Sequence, residues 1–123
     1  MVRIEFREKP ISCNHMYGQT KGGRRFLSKD GKDFKSKLST VAQGIMGTNP
    51  PFEGLFIVNI HYYFQDKRRR DVTNYDKPIL DSLSKIVYKD DTYIKKIIME
   101  KDLDKEDPRI IITIEEYGNA KED

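Results

Sequence analysis

Apolar and charged residues alternate at the start of the chain. Val2, Ile4 and Phe6 fall on one side and Arg3, Glu5 and Arg7 on the other, which predicts a short half-buried strand over residues 2–7, ended by Pro10. Ile11–Gly18 has neither a helical nor a strand period. Gln19–Arg25 contains Gly22-Gly23 and reads as a turn or loosely held loop, followed by a short extended piece at Arg25-Phe26-Leu27. Ser28-Lys29-Asp30-Gly31 marks a boundary. Beyond it Phe34, Leu38, Val41, Ala42 and Ile45 recur at helical spacing and predict a helix from about Asp30 to Met46, stopped by Asn49-Pro50-Pro51.

Leu55–Phe64 is the strongest strand in the chain. Val58, Ile60, Tyr62 and Phe64 share one face, Ile57, Asn59, His61 and Tyr63 the other, and both are apolar enough for a central position. A second helix begins near Thr73–Lys77, with Thr73 and Asp76 spaced as a capping box and Ile79, Leu80, Leu83, Ile86 and Val87 as its buried stripe. Pro78 would remove a backbone donor in its second turn, which places the start one or two residues later. Asp90-Asp91 forms a turn, residues 93–100 alternate as a strand, Asp102–Pro108 is an acidic turn, and Arg109–Glu116 is the last strand, with a frayed tail from Gly118. The order is β-α-β-α-β-β. It predicts an α/β fold in one domain over residues 1–123: a mixed sheet with helices packed on it, the last two strands paired as a hairpin.

Composition agrees with a globular domain. The 123 residues are enough for one hydrophobic core. No apolar run approaches the roughly 20 residues needed to cross a bilayer, and the charged N-terminus carries no secretion-signal pattern. The single Cys13 can form no internal disulfide and is in keeping with a reducing cytoplasm. The net charge is only +3, but its distribution is uneven. Residues 1–50 hold ten Lys/Arg against four Asp/Glu, and residues 101–123 hold four against eight. A basic front and an acidic end suggest one surface for a polyanion and another turned away from it.

Candidate chemistry concentrates between Lys67 and Asp91. Four cations, Lys67, Arg68, Arg69 and Arg70, run directly into Asp71 after the central strand, and Asp90-Asp91 precedes the next one. If those strands are neighbours, their ends could bring the acids within a few ångströms of one another. Clustered carboxylate oxygens suit Mg²⁺ or Mn²⁺. Lys67–Arg70 would grip phosphates with a salt-dependent affinity. Lys77 is a candidate cation for charge developing on a scissile phosphate, and Asn74 could orient a ligand. Asp76 and Asp81 are further carboxylates on the same helix. Each acid also has a plain reading, Asp90-Asp91 as a turn and Asp71 as a partner for Arg70. No Ser/His/Asp set, Walker loop, dinucleotide fingerprint or Cys/His zinc spacing is present.

Arg70-Asp71-Val72-Thr73-Asn74-Tyr75-Asp76-Lys77, the aliphatic run with Asp81-Ser82-Leu83, and Asp90-Asp91 together resemble the signature of the RusA family of Holliday-junction resolvases. Pro10-Ile11-Ser12-Cys13-Asn14-His15-Met16-Tyr17 is similar to that family's N-terminal Pro-Ser-x-Asn-x-x-Tyr stretch, and Phe26–Lys32 to the segment that opens its first helix. The resemblance implies a homodimeric, Mg²⁺-dependent endonuclease that binds four-way DNA junctions and cuts symmetrically related strands in recombination and repair, in a bacterial or phage setting. By position it implies Asp71 and Asp91 as metal ligands with Asp90 assisting, Lys77 as a catalytic cation, and Asn14, His15 and Lys67 to Asn74 along the DNA. One position departs from the pattern: Thr73 stands where the family has a second Asp. Asp76 or Asp90 could fill that gap, two carboxylates could suffice with more waters, or the protein could bind junctions without cutting them.

Overall fold

A computed structural model describes residues 1–117. Its main sheet has four strands: β1 (Val2–Phe6), β4 (Phe56–Phe64), β5 (Ile94–Leu103) and β6 (Arg109–Glu116), in the order β1-β6-β4-β5. A separate antiparallel hairpin joins β2 (Tyr17–Gln19) to β3 (Arg25–Leu27). Three helices accompany them: a single turn α1 (Cys13–Met16), the long α2 (Lys29–Met46) and the short α3 (Asp76–Leu83). The sheet is mixed, as the element order implies, and the α/β class holds. The tail expected from Gly118 lies outside the described residues.

The strand pairing corrects one expectation. β5 and β6 do not form a hairpin. β5 pairs parallel to β4, and β6 pairs antiparallel to the other edge of β4 and to β1. The connection over 104–108 steps across the end of β4, where the Asp104 amide donates to the Phe64 carbonyl at 2.8 Å. That span crosses two strand spacings, about 10 Å, which five residues cover easily. β4 is therefore central. Its Phe56, Val58, Ile60, Tyr62 and Phe64 are buried beneath the helices, and its other face is half-buried.

α2 is capped where the polar boundary predicts, with the Gly31 amide donating to the Ser28 hydroxyl at 2.9 Å. Its buried stripe is Phe34, Leu38, Ala42 and Met46, residues four apart, while Val41 and Ile45 of the expected stripe remain exposed. Phe34 meets Phe6 edge-on at 5.3 Å. Gly31 has a packing reason. A Cβ there would sit 2.3 Å from the Met16 carbonyl oxygen, so only glycine lets α2 start against the end of α1.

α3 differs from its expected form at both ends. Thr73 lies in a 3-10 turn (Val72–Asn74), Tyr75 precedes the helix without a side-chain cap, and the capping box does not form. Pro78 falls in the first turn, where a helix has no use for its missing N–H. The helix stops at Leu83 because Lys85 adopts a left-handed φ of 70°. The chain then folds back so that Val87 and Tyr88 enter the core as non-helical residues. Tyr88 stacks on Phe56 at 4.4 Å and its hydroxyl donates to the Leu80 carbonyl at 2.6 Å.

Candidate active site and nucleic-acid edge

Leaving β4, the chain turns back over the edge of the sheet, and Arg70 holds that turn. Its side chain is only 8% exposed; it pairs with Asp66 at 2.8 Å, donates to the Asp66 and Arg68 carbonyls, and lies over the Phe64 ring at 4.6 Å. Lys101 of β5 donates to the Arg70 carbonyl. The expected cationic run is thus divided. Arg70 is committed to the loop, whereas Lys67, Arg68 and Arg69 are exposed and make no ion pair among the described residues.

Asp71 follows in an extended conformation, and its carbonyl accepts the Asn74 amide at 3.0 Å. Its exposed carboxylate makes no hydrogen bond or ion pair among the described residues. It opens into a polar cavity lined by Ser12, Asn14, Arg69, Arg70, Asp71, Thr73, Asn74 and Tyr75. Two segments far apart in the chain meet here, the α1 turn with Asn14 and the stretch after β4 with Asp71 and Asn74. His15 is not in this cavity. Its Nε2 lies 2.7 Å from the Asp30 carboxylate, and it lines a different depression with Arg7, Lys9, Gln65 and Asp107.

The acids do not converge in the way strand adjacency suggested. β4 and β5 are neighbours, but they run parallel. Asp91 therefore enters β5 level with Phe56, while the Arg70 carbonyl is bound by Lys101, level with Tyr62. Those two heights are six residues apart on β4, about 20 Å of strand. Asp71, Asp90 and Asp91 belong to no group of three metal-ligating side chains among the described residues. The group of that kind that does occur is His61, Glu100 and Asp102, on the open face of the sheet, away from Asp71; the His61 ring stacks there on Tyr63 at 4.3 Å.

The two acids of the Asp90-Asp91 pair differ in role. Asp90 caps a 3-10 turn (Asp91–Tyr93), accepting the Thr92 amide at 2.9 Å, and that bond holds its carboxyl below the usual carboxylate range. Asp91 is left exposed. Burial raises the Tyr88 phenol far above its ordinary value, and the Asp91 and Asp81 charges raise it further, so both acids bear on the same buried hydroxyl.

Asp81 proves more connected than its place in the sequence suggests. The Lys77 ammonium lies 3.4 Å from its carboxylate, and the Tyr17 hydroxyl donates to the same oxygen. Burial, then the Asp81 bond, push the Tyr17 phenol well up. A residue at the base of the β2–β3 hairpin thereby orients the acid that holds Lys77. No local pattern signals a contact across 64 positions. Tyr17→Phe should cost about 1–2 kcal/mol, the value of a hydrogen bond to a charged group in a part-exposed setting, read from urea unfolding.

Hard oxygen donors dominate the cavity: the Asp71 carboxylate, the Thr73 and Ser12 hydroxyls and the Asn14 and Asn74 amides. This donor set fits a Mg²⁺ that keeps several waters, and offers one anionic ligand. Comparison with curated proteins finds no match. The family model described as Endodeoxyribonuclease RusA matches residues 9–115, which takes in α1, the cavity, α3, the Asp90-Asp91 turn and nearly all of β6. The chain belongs to the RusA family of endodeoxyribonucleases.

Proposed function

We propose that the protein cuts four-way DNA junctions by metal-assisted phosphodiester hydrolysis. The observation that carries this reading is the Asp71 carboxylate, unpartnered among the described residues, in an oxygen-lined cavity beside exposed Arg68 and Arg69, in a chain of an endodeoxyribonuclease family. A bound Mg²⁺, or Mn²⁺ in its place, would supply positive charge to the scissile phosphate and make a coordinated water a better nucleophile. The residues contribute positioning and electrostatics. Lys67, Arg68 and Arg69 neutralise phosphates along the edge. Asn14 and Asn74 offer amide donors and acceptors inside the cavity. Lys77, steered by Asp81 and Tyr17, provides an ammonium for charge that develops as the bond breaks. Asp71 is the metal acid of the cavity, and Asp91, with Asp90 beside it, is the second acidic station along the same edge. A four-way junction needs two matched cuts, which suits a two-fold homodimer with one site per protomer. Among the described residues no helix is long and apolar enough to cross a membrane, and we place the enzyme in a bacterial or phage-infected cytoplasm.

A second reading has its own support. Thr73 offers a neutral hydroxyl where a carboxylate is expected, and Asp91 enters far along the strand from Asp71. Both favour a protein that holds branched DNA without cutting it. One experiment separates the two. Wild-type protein and Thr73→Asp are incubated with a labelled synthetic four-way junction over a range of Mg²⁺ and Mn²⁺. The nuclease reading expects paired nicks from the wild type, with Thr73→Asp lowering the metal concentration needed by about tenfold, the effect of one added anionic ligand at about 1.4 kcal/mol. Paired nicks only from Thr73→Asp would establish the binding-only reading.

A further inference from the structure

The β2–β3 hairpin lies outside the core and carries an unusual combination of residues. Between Tyr17 and Leu27 it has three cations, Lys21, Arg24 and Arg25, and no acid. All three are exposed. Phe26, next to Arg25 in the chain but on the opposite face of the hairpin, is 48% exposed, the most exposed aromatic ring among the described residues. Its cross-strand partner is Gly18. A Cβ on Gly18 would lie 2.6 Å from the tip of the Phe26 ring, so the ring rests across glycine backbone with its outer side towards solvent. This makes a supported aromatic surface rather than a loose side chain.

The hairpin also adjoins the candidate active site. A groove lined by Cys13, Asn14, Tyr17, Gly18, Gln19 and Arg25 shares Asn14 with the Asp71 cavity. The Arg25 guanidinium sits 5.0 Å over the Tyr17 ring, and the Tyr17 hydroxyl ties the hairpin base to Asp81 on α3. Whatever polyanion lies at Asp71 has this arm beside it.

We propose that Phe26 stacks on an unpaired or splayed base at the branch point, while Lys21, Arg24 and Arg25 hold the phosphates of the adjoining arm. The proposal rests on the junction-cutting reading and deepens it by naming what distinguishes a junction from ordinary duplex. In continuous duplex every base face is covered by its neighbours. At a branch point bases can leave the stack, and an exposed aromatic ring on a basic hairpin takes them up without reading sequence. The hairpin is thus a structure-selective arm, separate from the carboxylates.

The test measures equilibrium binding of a four-way junction and of a linear duplex of the same sequence, without metal, for wild type, Phe26→Ala, Phe26→Leu and Phe26→Trp. Base–aromatic stacking of about 1–3 kcal/mol predicts junction affinity weakened roughly tenfold to a hundredfold in both the Ala and Leu variants. Phe26→Trp should hold the wild-type value, and duplex binding should not change in any of them. The salt dependence of junction binding should be unaltered by Phe26→Leu, while Arg24→Ala and Arg25→Ala each reduce its slope by about one phosphate's worth. Phe26 is on the surface, so thermal unfolding of the variants should match wild type. Wild-type junction affinity in Phe26→Leu would overturn the proposal, since leucine is apolar but offers no aromatic face. A wild-type protein that binds junction no better than duplex would overturn the junction reading itself, and this proposal with it.

Discussion

Asp71→Asn is expected to abolish junction cutting while leaving junction binding near the wild-type level. The acid is exposed in the cavity, and it holds the 3-10 turn after it through its backbone carbonyl, which accepts the Asn74 amide. Asparagine has the same shape, so the 3-10 turn survives and only the charge is lost. A metal's stabilisation of transition-state charge is worth several kcal/mol, so loss of an anionic ligand should slow nicking by a thousandfold or more, about 4 kcal/mol. Removing a negative charge beside a polyanion does not weaken binding. Nicking of an end-labelled junction in Mg²⁺, with gel-shift binding in its absence, measures both quantities. Loss of binding together with cutting would show that Asp71 is structural. Asp90→Ala serves as the comparison: it removes a cap worth about 1 kcal/mol of stability and should leave cutting largely in place.

Phe56→Ala should be the most damaging single change to the fold among those considered. Phe56 is fully buried at the start of the central strand. It stacks on Tyr88, and the β4–β5 register shifts immediately after it, between Phe56 and Ile57. Removing a buried Phe ring costs about 3–5 kcal/mol, a large part of the roughly 5–15 kcal/mol that a domain possesses. The unfolding midpoint should fall by more than about 10 °C, with the urea m-value unchanged. The effect should reach the site as well. Tyr88 is held between Phe56 and the Leu80 carbonyl, and the Asp90-Asp91 turn follows directly, so cutting should decline below the unfolding temperature. An unfolding midpoint within about 3 °C of wild type would show that the Phe56–Tyr88 stack contributes little.

The longer elements and the family were legible in the sequence because both rest on short-range spacing, whereas α1 and β2, four and three residues long, are too short to show a period. Period-two alternation marked β1 and β4, period-four spacing marked α2, and the Asp71-to-Asp91 motif lies within one continuous stretch. Residues two or four apart share a face whatever the rest of the chain does. The same spacing could not say that Val41 and Ile45 stay outside while Met46 goes in, because that depends on which elements cover α2.

What only the tertiary structure decided is direction, register and partner. Two edges of β4 compete for the last two strands, and the link over 104–108 is long enough to serve either, so local pattern alone could not exclude the hairpin. The parallel pairing of β5 then set how far Asp91 enters from Asp71. Arg70 and Arg69 are adjacent and identical in type, yet one is locked under Asp66 and Phe64 and the other faces solvent. Tyr17 reaches Asp81 across most of the domain, and Asn14 joins the Asp71 cavity only because α1 packs beside α3. Sequence by itself determined which residues carry charge, hydrogen-bonding groups and apolar surface, and in what local order. Packing between remote segments determined which of those groups are paired, which are free, and which stand together, because each such contact depends on side chains that no local period connects.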